Sequence, residues 1–451
     1  PQVFSRYLGG VPIVEIPFRQ HEVAVEYRQN VSDAVYAAVG EVRRIHKAGE
    51  PGDVLVFMPG LYEITKTIRR FRKLGLSGAT ILPLYGSMHP SEQDQVFGSV
   101  PGRKVVVATN VAETSLTIPG IRWVVDSGLA RVPSFEPDSD VESLAVADIS
   151  QASAQQRAGR AGRTKSGTCI RLYSKQSFER REWFTPPDIL RLDLVDVVLK
   201  AKSCGVHNLA ALDMPTPAPR HVVELAEKRL SDWGVLDGAG MLTEFGRKMS
   251  RLSLSAELAR MVLSAEAEGC LAEAATIASF LSVGDVFVRQ FDEDVLVQQR
   301  SLCDPESDFI TFLNILREYS QGEQQSAWCM ERGLHPQFME GACLVRRQLF
   351  EGLGHLEAEF SSSVHPDLNN RVIANAFKAN LCSHWRGNEY RCGAVQGITI
   401  AKSSTLAHNP PKQFVAYGLV NTGHNISARY NTAVPDEWLS QLAPEAKKER
   451  P

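Results

Sequence analysis

Lys104-Val-Val-Val-Ala108 is followed at once by the polar pair Thr109-Asn110. A short apolar run that ends in a turn reads as a strand buried on both faces. The pattern recurs upstream at Val54-Leu-Val-Phe-Met58 and Thr80-Ile-Leu-Pro-Leu84, and downstream at Ile121-Arg-Trp-Val-Val125 and Cys169-Ile-Arg-Leu-Tyr173. Helical patterns at 32–48, 61–74 and 91–98 fall between the runs. Continuous apolar strands that alternate with helices predict a parallel sheet covered on both faces. In such a sheet the loops at the carboxyl ends of the strands carry function.

Beyond about 183 the pattern changes. Between 219 and 233, apolar residues at 222, 225, 226, 230 and 233 have the spacing of an amphipathic helix. Val235-Leu-Asp-Gly-Ala-Gly-Met-Leu242 then gives two apolar pieces around a Gly-rich turn, which reads as a small wing after a helix pair, a winged helix. From 255 to about 353 the chain is rich in Ala, Leu and Glu at helical period and predicts a bundle. Trp233 and Trp328 read as core residues. Serines and a proline near 361–366 suggest a boundary, and a short helix is expected near 371–381. Strands at 388–395, 398–406, 413–421 and 426–434 then predict a small β-barrel such as an OB-fold. The last residues, 443–451, read as a frayed tail.

At 451 residues the chain is too long for one ordinary core, so several domains are expected. A net charge of -3 argues against a protein that coats nucleic acid by bulk charge, but leaves room for a local basic groove. The eight cysteines have neither zinc-finger nor redox spacing, which predicts reduced thiols in an intracellular compartment. No secretory signal and no membrane-length apolar run is present, so no membrane partner is expected. The first residue is Pro1 and not Met, which reads as processing, truncation or a missing upstream part.

Gln155-Gln-Arg-Ala-Gly-Arg-Ala-Gly-Arg163 is the most informative stretch. On a helical wheel Gln156, Arg160 and Arg163 fall within about 60° of one another, with Arg157 about 60° further round and the two glycines on another side. Glycine in a helix interior costs roughly 1 kcal/mol against alanine, so something has to approach that side closely. Clustered guanidinium groups become favourable opposite an anion such as a triphosphate. A solvated basic face, or a patch for RNA phosphates, satisfies the same spacing.

Gln156-Arg-Ala-Gly-Arg-Ala-Gly-Arg163 resembles motif VI of the DEAH-box/RNA helicase A-like helicases of superfamily 2. Ala108-Thr-Asn-Val-Ala-Glu-Thr-Ser-Leu-Thr-Ile118 with Val124-Val-Asp-Ser-Gly128 resembles their motif V and the strand after it. Leu55-Val-Phe-Met-Pro-Gly-Leu-Tyr-Glu-Ile64 resembles motif IV, and Leu84-Tyr-Gly-Ser-Met88 the next RNA-side loop. Pro187-Asp-Ile-Leu-Arg191, Leu242-Thr-Glu-Phe-Gly246 and Trp328-Cys329 extend the likeness into winged-helix and ratchet-like domains, and it weakens toward the OB-fold. The resemblance therefore implies an α/β RecA-like domain at 18–182, a winged helix at 183–252, a helical ratchet-like bundle at 253–360 and an OB-fold barrel at 361–442. Residues 1–17 resemble the end of a preceding RecA-like domain.

The same resemblance implies roles. Arg160 and Arg163 become arginine fingers for the γ-phosphate, and Gln156 helps place the attacking water. Ser115 and Thr117 sense nucleotide state, and Phe97 stacks on the base. Gly86, Ser87, Thr109 and Asn110 touch the RNA backbone, and residues 129–149 form a strand-separating β-hairpin. Each has a plainer alternative: Phe97 as core at the end of a helix, Ser115 and Thr117 as loop caps, and Thr109 and Asn110 as a closed turn. Where family members often carry an aspartate for the ribose this chain has Pro119, which fits tolerance of several nucleotides. Ile400-Ala-Lys-Ser-Ser404 and the stretch from Thr422 to Arg429 also depart from the family pattern, which puts RNA contacts there in doubt.

The sequence contains neither G-x-x-x-x-G-K-[ST] nor Asp-Glu-x-His, the phosphate loop and metal acid of the family's first RecA-like domain. The expectation is an ATP-dependent 3′-to-5′ RNA helicase or ribonucleoprotein remodeller whose ATP (or other NTP) and Mg²⁺ are bound mainly through that missing domain, so that this chain alone is inactive. Implied partners are single-stranded RNA, the upstream RecA-like domain, and an activating protein of G-patch type or a ribonucleoprotein complex. A non-catalytic RNA-binding scaffold and a DNA helicase are the alternatives.

Overall fold

Alternate residues of each central strand enter opposite cores in the computed structural model. It describes residues 1–16, 21–86, 88, 90–114, 117–136, 141–288, 293–322, 325–355, 372–423 and 425–439. The chain divides into two compact units, one of residues 1–133 and 144–188, the other of 134–143 and 189–451.

The first unit is built on a six-stranded parallel sheet. Its strands are β1 (Val23–Tyr27), β2 (Asp53–Phe57), β3 (Ala79–Leu84), β4 (Arg103–Ala108), β5 (Ile121–Asp126) and β10 (Gly167–Arg171), in the order β1-β10-β5-β2-β4-β3. Val54 and Val56, Val105 and Val107, and Val125 and Ile170 face the helices Ala34–Lys47 and Leu61–Leu74. Leu55, Phe57, Val106, Val124 and Cys169 face the other way, onto Ala112, Ala158 and Ala161. The two-sided burial expected of the apolar runs is therefore present, and the sheet has the RecA-like arrangement. Edge strand β1, with its largely exposed residues, gave no apolar run and went unread.

One helix is shorter than its pattern. Helix Pro90–Asp94 stops four residues before the expected 98, and Gln95, Val96 and Phe97 each donate their amide three residues back, closing a tight turn. Phe97 thus follows the helix and does not end it. The expected hairpin at 129–149 is two short antiparallel pairs. Its stem, β6 (Leu129–Arg131) with β9 (Val146–Asp148), belongs to the first unit. Its outer pair, β7 (Ser134–Glu136) with β8 (Val141–Ser143), belongs to the second, where β8 pairs with the strand Gln413–Asn421.

The second unit begins with helices Val195–Ser203, Arg220–Asp232 and Glu244–Arg251; between the last two, the expected wing is reduced to one bridge, Leu236 with Leu242. Asp237 Oδ1 accepts the amides of Ala239 and Met241 and closes that turn. The helical bundle follows as expected, with helices Ala256–Glu268, Leu271–Val283, Glu293–Leu302, Asp308–Gln321, Gln325–Glu331 and Pro336–Leu353. Trp233 and Trp328 are half-buried against its apolar clusters. The boundary at 361–366 and the tail at 443–451 lie outside the described residues.

Five strands close the barrel: β11 (Leu381–Arg386), β12 (Glu389–Cys392), β13 (Val395–Ile400), β14 (Gln413–Asn421) and β15 (Ile426–Ala433), in the order β11-β12-β13-β15-β14 with β14 returning to β11. The strands expected at 388–395 and 398–406 are β12 and the shifted β13, and β11 before them, at 381–386, went unread. Gly387, at φ 50, turns the chain between β11 and β12; Gly393, at φ 53, turns it inside the run expected at 388–395, and residues 401–408 leave the sheet. The helix expected near 371–381 is reduced to Ala374–Ala376 and a 3₁₀ turn, Lys378–Asn380.

Asp308, buried at the start of its helix, binds the barrel to the bundle within this unit. Its carboxylate accepts Ser404 Oγ at 2.6 Å, Thr405 N at 2.8 Å, Thr405 Oγ1 at 3.0 Å and Asn431 N at 2.7 Å. Burial raises its pKa, against the pull of those donors. Replacing Asp308 with Ala leaves the donors buried without an acceptor, and the unit is expected to lose about 3 kcal/mol in urea unfolding followed by tryptophan fluorescence.

Candidate functional site

The helix Gln151–Gly159 is anchored at its first turn. Ser150 Oγ accepts Ser153 N, and the amides of Gln151 and Ala152 reach the carbonyls of Glu182 and Trp183. It tightens into a 3₁₀ turn at Arg160–Gly162. In a 3₁₀ turn side chains at i and i+3 eclipse, so Arg160 and Arg163 come into line. Gly162 lies against β1, where an added Cβ would stand 2.6 Å from the His21 carbonyl oxygen and 2.6 Å from Val23 Cγ2. The close approach expected on the glycine side is there at Gly162, whereas Gly159 lines the same cavity as the stripe it was expected to face away from.

Gln156, Arg160 and Arg163 line an open cavity of about 480 Å³ together with Glu113, Thr114, Ala152, Gln155 and Gly159. Arg160 is buried and donates Nη2 to the Glu113 carbonyl; Arg163 is exposed and donates Nη1 to Thr117 Oγ1. Burial, and next the charge of Arg163, pull the Arg160 pKa down to about 10 against the opposing charge of Glu113. The cost of keeping Arg160 charged beside Arg163 on one wall is relieved by a bound anion. Among the described residues no group of His, Cys, Asp and Glu could hold a metal ion.

The other candidates fall in two places. Strand β3 pairs with β4 so that Leu84 lies beside Ala108, and Thr109 N donates to the Leu84 carbonyl at 3.0 Å. The loops carrying Gly86 and Thr109-Asn110 therefore leave the sheet side by side, with Gly86 and Asn110 exposed. A single 3₁₀ turn, Asn110–Ala112, leads from this pair to Glu113 and Thr114 on the cavity wall. Phe97 is not among the cavity residues; it packs half-buried against the cluster of Leu55, Phe57 and Ala158. Ser87 and Ser115 lie outside the described residues.

Arg157 was legible as an arginine but not as the hub it forms. Its side chain is fully buried, with Nη1 2.8 Å from Asp126 Oδ1, Nε 3.1 Å from Glu113 Oε2, and its charge 4.8 Å from the centre of the Phe57 ring. Burial works against its charge, but Asp126 and Glu113 more than offset that and leave its pKa above the ordinary value. Glu113, to which the family resemblance assigned no role, joins this hub to the cavity wall, where Thr114 stands beside it.

Residues 37–165 match the family described as helicase conserved C-terminal domain, and residues 255–312 match the helicase associated domain (HA2), ratchet-like. The chain is 34% identical over 466 aligned positions to the ATP-dependent RNA helicase HrpA of Escherichia coli (strain K12), covering 98% of this chain and 36% of that protein. The chain belongs to the DEAH-box/RNA helicase A-like family of superfamily 2. Two crystal structures of Escherichia coli HrpB are similar to it at 26% identity: a DExH-box NTPase at TM-score 0.73 over 99% of this chain and 50% of that one, and a DEAH/RHA helicase at TM-score 0.76 over 97% and 51%. The DEAH-family chain thus spans between about a third and a half of the length of these relatives. Its likeness to them runs through both compact units.

Arg157 gives this site a stability signature. Arg157→Leu leaves the buried carboxylate of Asp126 and the partly buried one of Glu113 without their cation, and the first unit is expected to lose about 3 kcal/mol in denaturant unfolding, read from the fluorescence of Trp123 in the sheet.

Proposed function

We propose that this chain is the second motor half, with its accessory domains, of an ATP-dependent RNA helicase or ribonucleoprotein remodeller that moves 3′-to-5′ on single-stranded RNA. The observation that carries the reading is the cavity lined by Gln156, Arg160 and Arg163 beside Glu113 and Thr114. A scaffold has no use for two aligned guanidinium groups on a cavity wall, whereas a γ-phosphate that gains charge during transfer is stabilised by them. Arg160 and Arg163 serve as the fingers, Gln156 orients the attacking water, and Thr117 with Ser115 responds to the state of the nucleotide. Phe97 stacks on the base after leaving its packing against the sheet. ATP phosphates and Mg²⁺ are held by a RecA-like half that resembles what residues 1–17 would close.

In this reading residues 18–182 form the second RecA-like domain, 183–252 a winged helix, 253–360 the ratchet-like bundle and 361–442 the OB-fold. RNA runs past Gly86, Ser87, Thr109 and Asn110, whose backbone amides and short side chains suit phosphate oxygens better than base edges. The turn Asn110–Ala112 joins that contact to the cavity within a few residues, which gives a short path between RNA and nucleotide. An activating protein of G-patch type, and an intracellular reducing compartment, complete the proposal. No described helix is long and apolar enough to cross a membrane.

Two outcomes are expected. The chain by itself does not turn over ATP with RNA present. In the protein completed by a phosphate-binding half, Arg163→Ala lowers RNA-stimulated ATPase by about 10³-fold or more while RNA affinity changes little. Loss of RNA affinity with ATPase per bound RNA retained would instead make these arginines ligands of the RNA backbone. RNA binding by the chain is expected to be weak, tolerant of sequence and selective for single strands. In fluorescence anisotropy its log affinity should fall about linearly with log salt; tight duplex binding would contradict a backbone channel.

A further inference from the structure

Arg157 shares its helix with the two cavity arginines but is not among the residues that line the cavity. Its donors go to three separate pieces of the first unit. Nε reaches Glu113 on the loop after β4 at 3.1 Å, and Nη1 reaches Asp126 at the end of β5 at 2.8 Å and the carbonyl of Leu129 at 3.2 Å. Leu129 is the first residue of β6, one of the two strands of the hairpin stem.

The network continues around the stem. Asp126 also accepts Gly128 N at 2.9 Å and the Tyr173 hydroxyl at 2.9 Å. Arg181 holds the other side, donating to the carbonyls of Gly128 at 2.6 Å and Ile149 at 3.2 Å and to Asp148 Oδ1 at 3.2 Å, with its guanidinium 4.0 Å from the centre of the Tyr173 ring. Both stem strands are thereby held by buried arginines, and one of these arginines is on the helix that carries Arg160 and Arg163.

We infer that Arg157 is a positioning residue that ties the cavity helix to the hairpin stem, so that closure of Arg160 and Arg163 on the nucleotide is delivered to the hairpin. The inference rests on the helicase reading above. Physically, a rigid planar fork with donors to three segments cannot rotate with its helix unless those segments follow or the bonds break. Breaking them strands the buried carboxylate of Asp126 and the partly buried one of Glu113, so the segments follow. Packed elements of this kind shift between discrete arrangements and do not deform smoothly, and this is how such a displacement reaches a distant element. A lysine at the same place keeps the charge but lacks the fork.

The test uses Arg157→Lys in the protein completed by its phosphate-binding half, with ATPase on single-stranded RNA and unwinding of a tailed RNA duplex measured on one preparation. The expected result is ATPase within about threefold of the unmodified protein and base pairs opened per ATP down by about tenfold or more. Faster amide hydrogen exchange at 129–131 and 146–148, with β2 and β4 unchanged, accompanies it. Equal loss of both activities, or an unchanged ratio, overturns the proposal, because Arg157 would then support only the fingers or the fold. An unmodified protein without RNA-stimulated ATPase would overturn the helicase reading itself, a separate failure. Should Arg157→Lys not fold, Tyr173→Phe removes a single donor from Asp126; a drop of about threefold in the same ratio supports the linkage, and no drop overturns it.

Discussion

A guanidinium shut off from water keeps its charge inside a protein when acceptors surround it, and two carboxylates and a carbonyl do this for Arg157. The loop that carries Glu113 and the hairpin stem are held by that arrangement. Glu113 is held at the cavity wall, its own carbonyl takes a hydrogen bond from Arg160, and the hairpin stem is registered against the helix. The position of Asp126 comes from the sheet, where its pairing with Phe57 and Arg171 puts it in the last row of β5. Sheet register thus sets where the carboxylate stands, and the carboxylate sets where the helix can lie.

The second unit solves a similar problem with the charge reversed. Asp308 is a buried anion surrounded by hydroxyl and amide donors from the barrel. One of those donors follows Tyr430, a non-glycine residue held at φ 51, a left-handed conformation that costs about 1–2 kcal/mol. The hydrogen bond from Asn431 N to Asp308, at 2.7 Å, offsets that cost and ties β15 to the start of the helix. Ser404, one of the two serines flagged in the sequence, is consumed by this contact and buried, while Lys402 and Ser403 remain exposed.

Between the cavity and the strand-end loops there is little intervening chain. Thr109 and Asn110 emerge beside Gly86 because β3 and β4 pair in register, and one 3₁₀ turn later Glu113 faces the arginines. Proximity of this kind needs no long relay: a change of a few dihedral angles in one turn alters both ends. The cavity arginines are aligned by the tightening of their own helix, a local effect that a uniform helical wheel approximates but does not contain.

By itself the sequence determined the parallel sheet, the helical bundle, and the stripe of Gln156, Arg160 and Arg163. These depend on local periodicity, and apolar runs and helical spacing are carried by neighbouring residues. It also determined that Gly162 must be closely approached, since a helix tolerates glycine poorly without a reason. Local pattern did not find β1, which is exposed at an edge, nor β11, which follows directly on a stretch read as helix, nor the turn at Gly393 that cuts short β12. The tertiary structure alone decided that Arg157 is a buried hub, that Glu113 joins it to the cavity, that Phe97 packs away from the cavity and that Asp308 clasps Ser404. These contacts join residues 31 to 96 positions apart in the chain. Charged residues look alike in sequence whether solvated or buried, and only the fold decides which of them lose water and must find each other.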